Sequence, residues 1–132
     1  MANVAMIAAV AAGGAVGAVL RYLTSLAFGA GVFGIAGPLA TLLVNIAGSA
    51  MMGGLAGLVA VGMVFPEAWR GFFAVGLLGA LTTFSSFVLD AGALWQKQGA
   101  LMAGAYVMAS VILSLLAFVA AFWVVKHSGI WQ

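Results

Sequence analysis

Long apolar stretches separated by isolated charged residues are the main pattern along this chain. Asp, Glu, Lys and Arg are absent from residues 1–20, 22–66, 71–89 and 98–125. A helix of about 20 mostly apolar residues crosses a bilayer, and the second run is long enough for more than one crossing. It is interrupted by a glycine-rich piece at 29–37 followed by Pro38, a combination that breaks helices. The pattern predicts a single all-α domain over residues 1–132, with membrane-spanning helices at about 4–28, 38–63, 71–95 and 100–125.

Composition supports a membrane protein and excludes several functions. Apolar residues make up 67% of the chain and charged residues 5%, against about 45–50% and about 25% in soluble proteins. The few Lys and Arg residues lie far apart, so they form no nucleic-acid patch. The single His and the absence of Cys leave no cluster for a metal or acid–base site. We therefore expect a multi-pass protein in contact with lipid that is not an enzyme and binds no nucleic acid.

The basic residues do not specify one orientation in the membrane. With four spans, Arg70 and Lys126 lie on one side, and Lys97 with Arg21 on the other. Because the Lys/Arg bias sets orientation, a chain without that bias can insert both ways, and two opposite copies can pair. The alternative is a chain that its insertion partners orient.

Polar and small residues recur at intervals of four, which places them on one face of a helix. The stripes are Gly13, Gly17, Arg21 and Ser25 in the first span, Thr41, Asn45, Ser49, Gly53 and Gly57 in the second, and Tyr106, Ser110 and Ser114 in the fourth. Such stripes either pack helices together or line a wet path. The glycines favour packing, and both interpretations remain open for Asn45 and the fourth-span hydroxyls.

The third span carries a dense polar string in its middle. Residues 82–87 read Thr-Thr-Phe-Ser-Ser-Phe. Ser and Thr side chains compete with the helix for backbone groups, and irregular backbone within a membrane is tolerated only where protein or a cavity surrounds it. The string therefore predicts either a helix break at a functional centre or an intact helix with polar packing groups.

These side chains suit the passage of a small anion better than covalent chemistry. Hydroxyl and amide groups donate hydrogen bonds, and aromatic edges are electropositive, so together they partly replace a hydration shell. Conduction also requires binding weak enough for release. Arg21 either draws anions into a pathway entrance or anchors the first span at the interface beside Tyr22.

Three motifs resemble the Fluc (CrcB-type) family of fluoride channels, and the similarity covers nearly the whole chain. They are Gly-Gly-Ala-Val-Gly-Ala-Val-Leu-Arg-Tyr at 13–22, Thr-Leu-Leu-Val-Asn-Ile-Ala-Gly-Ser at 41–49, and Gly-Ala-Leu-Thr-Thr-Phe-Ser-Ser-Phe at 79–87. The resemblance implies an antiparallel, dual-topology homodimer of four-helix subunits whose third helix is broken near its middle. It also implies two pores in the inner (plasma) membrane, passive fluoride export from the cytoplasm, and fluoride resistance.

The resemblance also implies roles for individual residues. Phe84 and Phe87 would contact fluoride, and Asn45 would be a pore-lining amide donor. The remaining pore candidates are Tyr106, Ser110 and Ser114 as a polar track, Thr83 and Ser86 beside the break, and Arg21 at the vestibule or entrance. A structural Na⁺ at the dimer centre would be held by the backbone carbonyls of Gly79 and Thr82.

The chain departs from the family pattern at three positions. Ala40 and Ser86 stand where the family often has Gly and Thr, and both changes are conservative. Asp90 stands where Glu is common, and its shorter side chain means that the role of the family's acid does not transfer directly.

Two other functions fit four spans with little charge bias. A small dual-topology multidrug exporter needs a membrane-embedded carboxylate, and this chain offers only Glu67 in a loop and Asp90 near a span end. A non-transporting scaffold subunit would use the stripes only for packing and would tolerate Phe84→Leu.

Overall fold

The computed structural model describes residues 4–29 and 36–128, and every regular element in those two ranges is helical. The helices are α1 (Val4–Gly29), α2 (Ala36–Ala60), α3 (67–81), α4 (Phe84–Gln98) and α5 (Ala100–His127). Because α3 and α4 form one span over Glu67–Gln98, there are four helical segments long and apolar enough to cross a membrane. The prediction of an all-α protein with four spans is confirmed. Most of the predicted first loop, at 30–35, lies outside the described residues.

The second span ends earlier, and the third span begins earlier, than the sequence indicated. α2 ends at Ala60 instead of residue 63, because Gly62 adopts a φ of 90°. Gly62 N–H then donates to the Val59 carbonyl, and Met63 N–H to the Leu58 carbonyl, which caps the end of the helix. α3 begins with an extra turn, Glu67–Arg70, because the Pro66 carbonyl accepts hydrogen bonds from the N–H groups of Trp69 and Arg70.

Glycines bring the spans together in two tight pairs. Side-chain carbons at Gly13 and Gly17 would overlap the α3 backbone at Phe72 and Leu77. A side-chain carbon at Gly53 would overlap the α5 backbone at Phe118 in the same way. Such close approach is typical of packed membrane helices, so the structure gives these stripe glycines a packing role between α1 and α3 and between α2 and α5.

Residues Gly71–Leu78 of α3 form widened, π-helical turns directly before the middle of the span. Gly76 on these turns is buried, and a side-chain carbon at this position would overlap the α1 backbone at Val10 and Gly14. π-helical turns are rare and frequently occur at functional sites. They lead here into the irregular segment described below.

Candidate functional site

Two extended residues separate α3 from α4 near the middle of the third span. Thr82 has φ −78° and ψ 152°, and Thr83 has φ −151° and ψ 128°. The Thr82 hydroxyl donates to the Leu78 carbonyl at 2.8 Å, and the Thr83 hydroxyl accepts the Ser86 N–H at 3.2 Å. The two threonine side chains therefore satisfy backbone groups at the end of one helix and the start of the next.

The Asn45 side chain binds this irregular segment through two hydrogen bonds to one residue. Asn45 Nδ2 donates to the Thr83 carbonyl at 3.1 Å, and Thr83 N–H donates to Asn45 Oδ1 at 2.9 Å. In a continuous helix the Thr83 N–H would bond the Gly79 carbonyl, so the Asn45 amide replaces a helical bond. Asn45 therefore joins α2 to the segment, and one N–H of its amide is left for another acceptor.

An open cleft of about 510 Å³ borders the segment. Its lining includes Asn45, Thr83, Phe84, Phe87, Ser110 and Ser114. None of the lining residues has an ionisable side chain. The cleft therefore offers a neutral polar surface. Gly79 is also among its lining residues, and the carbonyl of Gly79 has lost its helical donor, the Thr83 N–H.

Three aromatic rings follow one another from the cleft into the protein. Phe84 is 77% exposed and Phe87 only 9%. The Phe84 and Phe87 ring centroids are 5.6 Å apart, as are those of Phe87 and Tyr106. Ring edges carry partial positive charge, so the row can interact favourably with an anion at the cleft.

Two hydroxyl groups of α5 are buried without a hydrogen-bond partner in the described part of the chain. They are Tyr106 Oη and Ser110 Oγ, on residues that are 8% and 4% exposed. Buried polar atoms are nearly always paired. These hydroxyls therefore have donor capacity for an acceptor that passes beside them.

Of the remaining predicted site residues, two line the cleft and two lie outside its lining. Ser86 is not part of the cleft lining, and its hydroxyl accepts a 3.3 Å hydrogen bond from the Thr83 hydroxyl. Arg21 also lies outside the lining, and its carbonyl accepts a bond from Ser25. Gly79 and Thr82 both line the cleft.

Sequence reasoning missed a contact between Thr41 and Asp90. Thr41 Oγ1 donates to Asp90 Oδ2 at 2.5 Å. The other carboxylate oxygen lies beside Gly37 in the first turn of α2, where the helix dipole favours negative charge. The position of Thr41, one turn before Asn45 on the same face of α2, indicated a polar role for its side chain. The sequence does not indicate that Asp90 is its acceptor.

Loss of the Thr41 hydroxyl should destabilise the protein measurably. We expect Thr41→Val to lower the free energy of unfolding by about 1.5–3 kcal/mol, because it leaves a charged acceptor without its donor. Thr24→Val is the matched control, since the Thr24 hydroxyl bonds the carbonyl of Leu20 at an exposed site. Thermal unfolding of the purified proteins in detergent measures the stability of both variants. Equal melting temperatures for the two variants would contradict the importance of this contact.

Comparison with known proteins identifies relatives over most of the chain. Residues 8–122 match the family described as CrcB-like protein, Camphor Resistance (CrcB). The chain is 45% identical over 120 residues to a protein of Nitrobacter hamburgensis named fluoride-specific ion channel FluC 1, covering 91% of this chain and 94% of the relative. It is 52% identical over 111 residues to the fluoride-specific ion channel FluC of Rhodospirillum centenum, covering 83% and 86%. The names of these relatives do not favour the multidrug exporter.

Proposed function

This chain belongs to the CrcB family, and from that membership we propose that it is a passive, fluoride-selective channel through which fluoride leaves the cytoplasm. The family resemblance and the names of its relatives support a fluoride channel, a transporter class and not an enzyme class. Its four apolar helices make the chain a multi-pass membrane protein. We place it in the inner (plasma) membrane, where passive export protects the cytoplasm and gives fluoride resistance.

The structural observation that carries the proposal is the position of Tyr106 Oη and Ser110 Oγ, two buried hydroxyls that make no hydrogen bond within the described residues. Fluoride is a small anion and a strong hydrogen-bond acceptor, so each hydroxyl can replace a water molecule of its hydration shell. The edges of Phe84 and Phe87 add partial positive charge at the cleft. Ser114 continues the track along α5, because it lies one turn beyond Ser110.

Neutral donors match the requirements of conduction. A fixed positive charge at the centre would retain the anion, whereas a channel must also release it. The cleft lining has no ionisable side chain, and we assign Arg21 to the vestibule. Asn45 contributes its remaining N–H, while Thr83 and Ser86 act beside it mainly by holding the segment in place.

We further propose an antiparallel homodimer with two pores. The observation that supports a dimer is the exposure of Phe84. This side chain is 77% exposed in the single chain, and it follows directly on the irregular backbone of Thr82 and Thr83. Irregular backbone at membrane depth must be covered by protein or line a cavity. A second, oppositely oriented copy would cover it, in agreement with the weak Lys/Arg bias of the sequence.

A structural Na⁺ fits the carbonyl groups at the proposed dimer centre. Thr83 N–H bonds Asn45 instead of the Gly79 carbonyl, and Ser86 N–H bonds the Thr83 hydroxyl instead of the Thr82 carbonyl. Both carbonyls therefore lack their usual helical donors. Two such carbonyls from each copy provide four oxygen ligands, which suit a hard monovalent cation. When bound there, the ion would link the two copies electrostatically.

Anion efflux from liposomes tests the channel function. Purified protein is reconstituted in liposomes loaded with potassium fluoride or potassium chloride, and ion-selective electrodes follow release after valinomycin is added. We expect fast release of fluoride and retention of chloride. Retention of both anions by folded protein would overturn the proposal, and the exchange of cationic drugs for protons would then be measured.

A further inference from the structure

Gly48 of α2 lies directly against the side chain of Thr82. A side-chain carbon at Gly48 would overlap the Thr82 Cγ2 methyl group, and Gly48 is buried. Most of the tight glycine contacts elsewhere are with helix backbone, as at Gly53, where the neighbour is the Phe118 carbonyl. The Gly48 contact is different because its partner is a single methyl group on one of the two extended residues.

The Thr82 methyl group cannot simply rotate away from Gly48. Its rotamer is fixed because Oγ1 donates to the Leu78 carbonyl at 2.8 Å. The Thr82 N–H donates to the same carbonyl at 3.0 Å. A larger residue at 48 must therefore break the hydroxyl bond, displace the Thr82 backbone or push α2 away from it.

Gly48 and Asn45 are three residues apart on α2 and therefore share one helix face. Asn45 holds Thr83 through two hydrogen bonds, while Gly48 makes room for Thr82. This face of α2 thus fixes both extended residues, one by polar contacts and the other by shape. The direction of the Thr82 carbonyl depends on both contacts.

We propose that Gly48 is a positioning residue that sets the affinity of the sodium site by fixing the place of the Thr82 carbonyl. The inference rests on the proposed function, because it concerns the cation that we assign to these carbonyls. Gly48 has no side chain that could ligate an ion, and its effect is transmitted through the Thr82 methyl group. The contact therefore links packing between α2 and the third span to cation binding and, through it, to fluoride conduction.

A double-mutant cycle tests this contact, since Thr82→Ser removes the methyl group and keeps the hydroxyl. We expect Gly48→Ala to raise the sodium concentration at half-maximal stabilisation by at least about fivefold in the wild-type background. In the Thr82→Ser background the same change should raise it by less than about twofold. The readouts are the melting temperature in detergent as Na⁺ replaces N-methylglucamine, and fluoride efflux at matched sodium concentrations.

Gly54→Ala is the matched control on the same helix, because only a side-chain atom of Val125, at 3.9 Å, lies near that position. We expect it to leave the sodium midpoint unchanged. Equal shifts caused by Gly48→Ala in both backgrounds would overturn the inference, as would wild-type stability that does not depend on sodium. If wild-type protein passes no fluoride, the proposed function fails, while the melting-temperature cycle still tests the Gly48–Thr82 contact.

Discussion

Asn45→Asp should reduce fluoride efflux by at least about tenfold, because it replaces a half-buried donor that holds the irregular segment by a negatively charged acceptor. The substitution preserves shape but removes the Nδ2 donor, so a carboxylate oxygen would face the Thr83 carbonyl, which now accepts the 3.1 Å bond. It also places a negative charge beside the proposed anion path. Efflux from liposomes at matched protein density measures the effect.

The control for Asn45→Asp is Gln96→Glu, which makes the same change from amide to acid on an exposed residue. Both variants lower the net charge equally, so a general charge effect would appear in both. Gel filtration shows whether each variant remains folded. Wild-type efflux from folded Asn45→Asp protein would exclude the amide as the group that holds the irregular segment.

Tyr106→Phe should have opposite effects on stability and on conduction. Removing a buried hydroxyl that makes no hydrogen bond within residues 4–29 and 36–128 should raise the free energy of unfolding by about 1 kcal/mol. The same change removes one proposed fluoride ligand, so efflux should fall about tenfold, equivalent to one hydrogen bond of about 1.4 kcal/mol. Thermal unfolding and liposome efflux of one preparation measure the two effects.

Tyr22→Phe provides the matched control, since Tyr22 is the other tyrosine in the sequence and is 62% exposed. We expect it to change neither quantity. A Tyr106→Phe variant that is less stable than wild type would show that the hydroxyl has a structural partner. Unchanged efflux would remove Tyr106 from the polar track.

The four-span, all-helical architecture could be predicted from the sequence because it depends on local hydrophobicity. The charge-free run from 98 to 125, for example, is long enough to cross a bilayer and must satisfy its backbone polar groups internally, which a helix does. The end of α2 was predicted less accurately, because Gly62 lies among apolar residues and its positive φ depends on how the chain turns there.

The polar string in the third span illustrates what sequence reasoning could not settle. Its hydroxyls indicated that the helix could be interrupted, but an intact helix satisfied the same pattern. The extended conformation of Thr83 is held by Asn45, 38 residues away. Similarly, Thr41 and Asp90 are 49 residues apart. Such pairings depend on the packing of the helices, which the spacing of residues along the chain does not reveal.

The two tight glycine pairs determine the order in which the protein can be assembled during synthesis. α1 packs mainly on α3, and α2 on α5, so each pair joins a span to the next but one. Spans separated in this way cross the membrane in the same direction, and a hairpin of successive spans contains neither pair. The surface of α2 around Gly53 stays uncovered until α5 has left the ribosome. The subunit therefore cannot close before its last helix arrives.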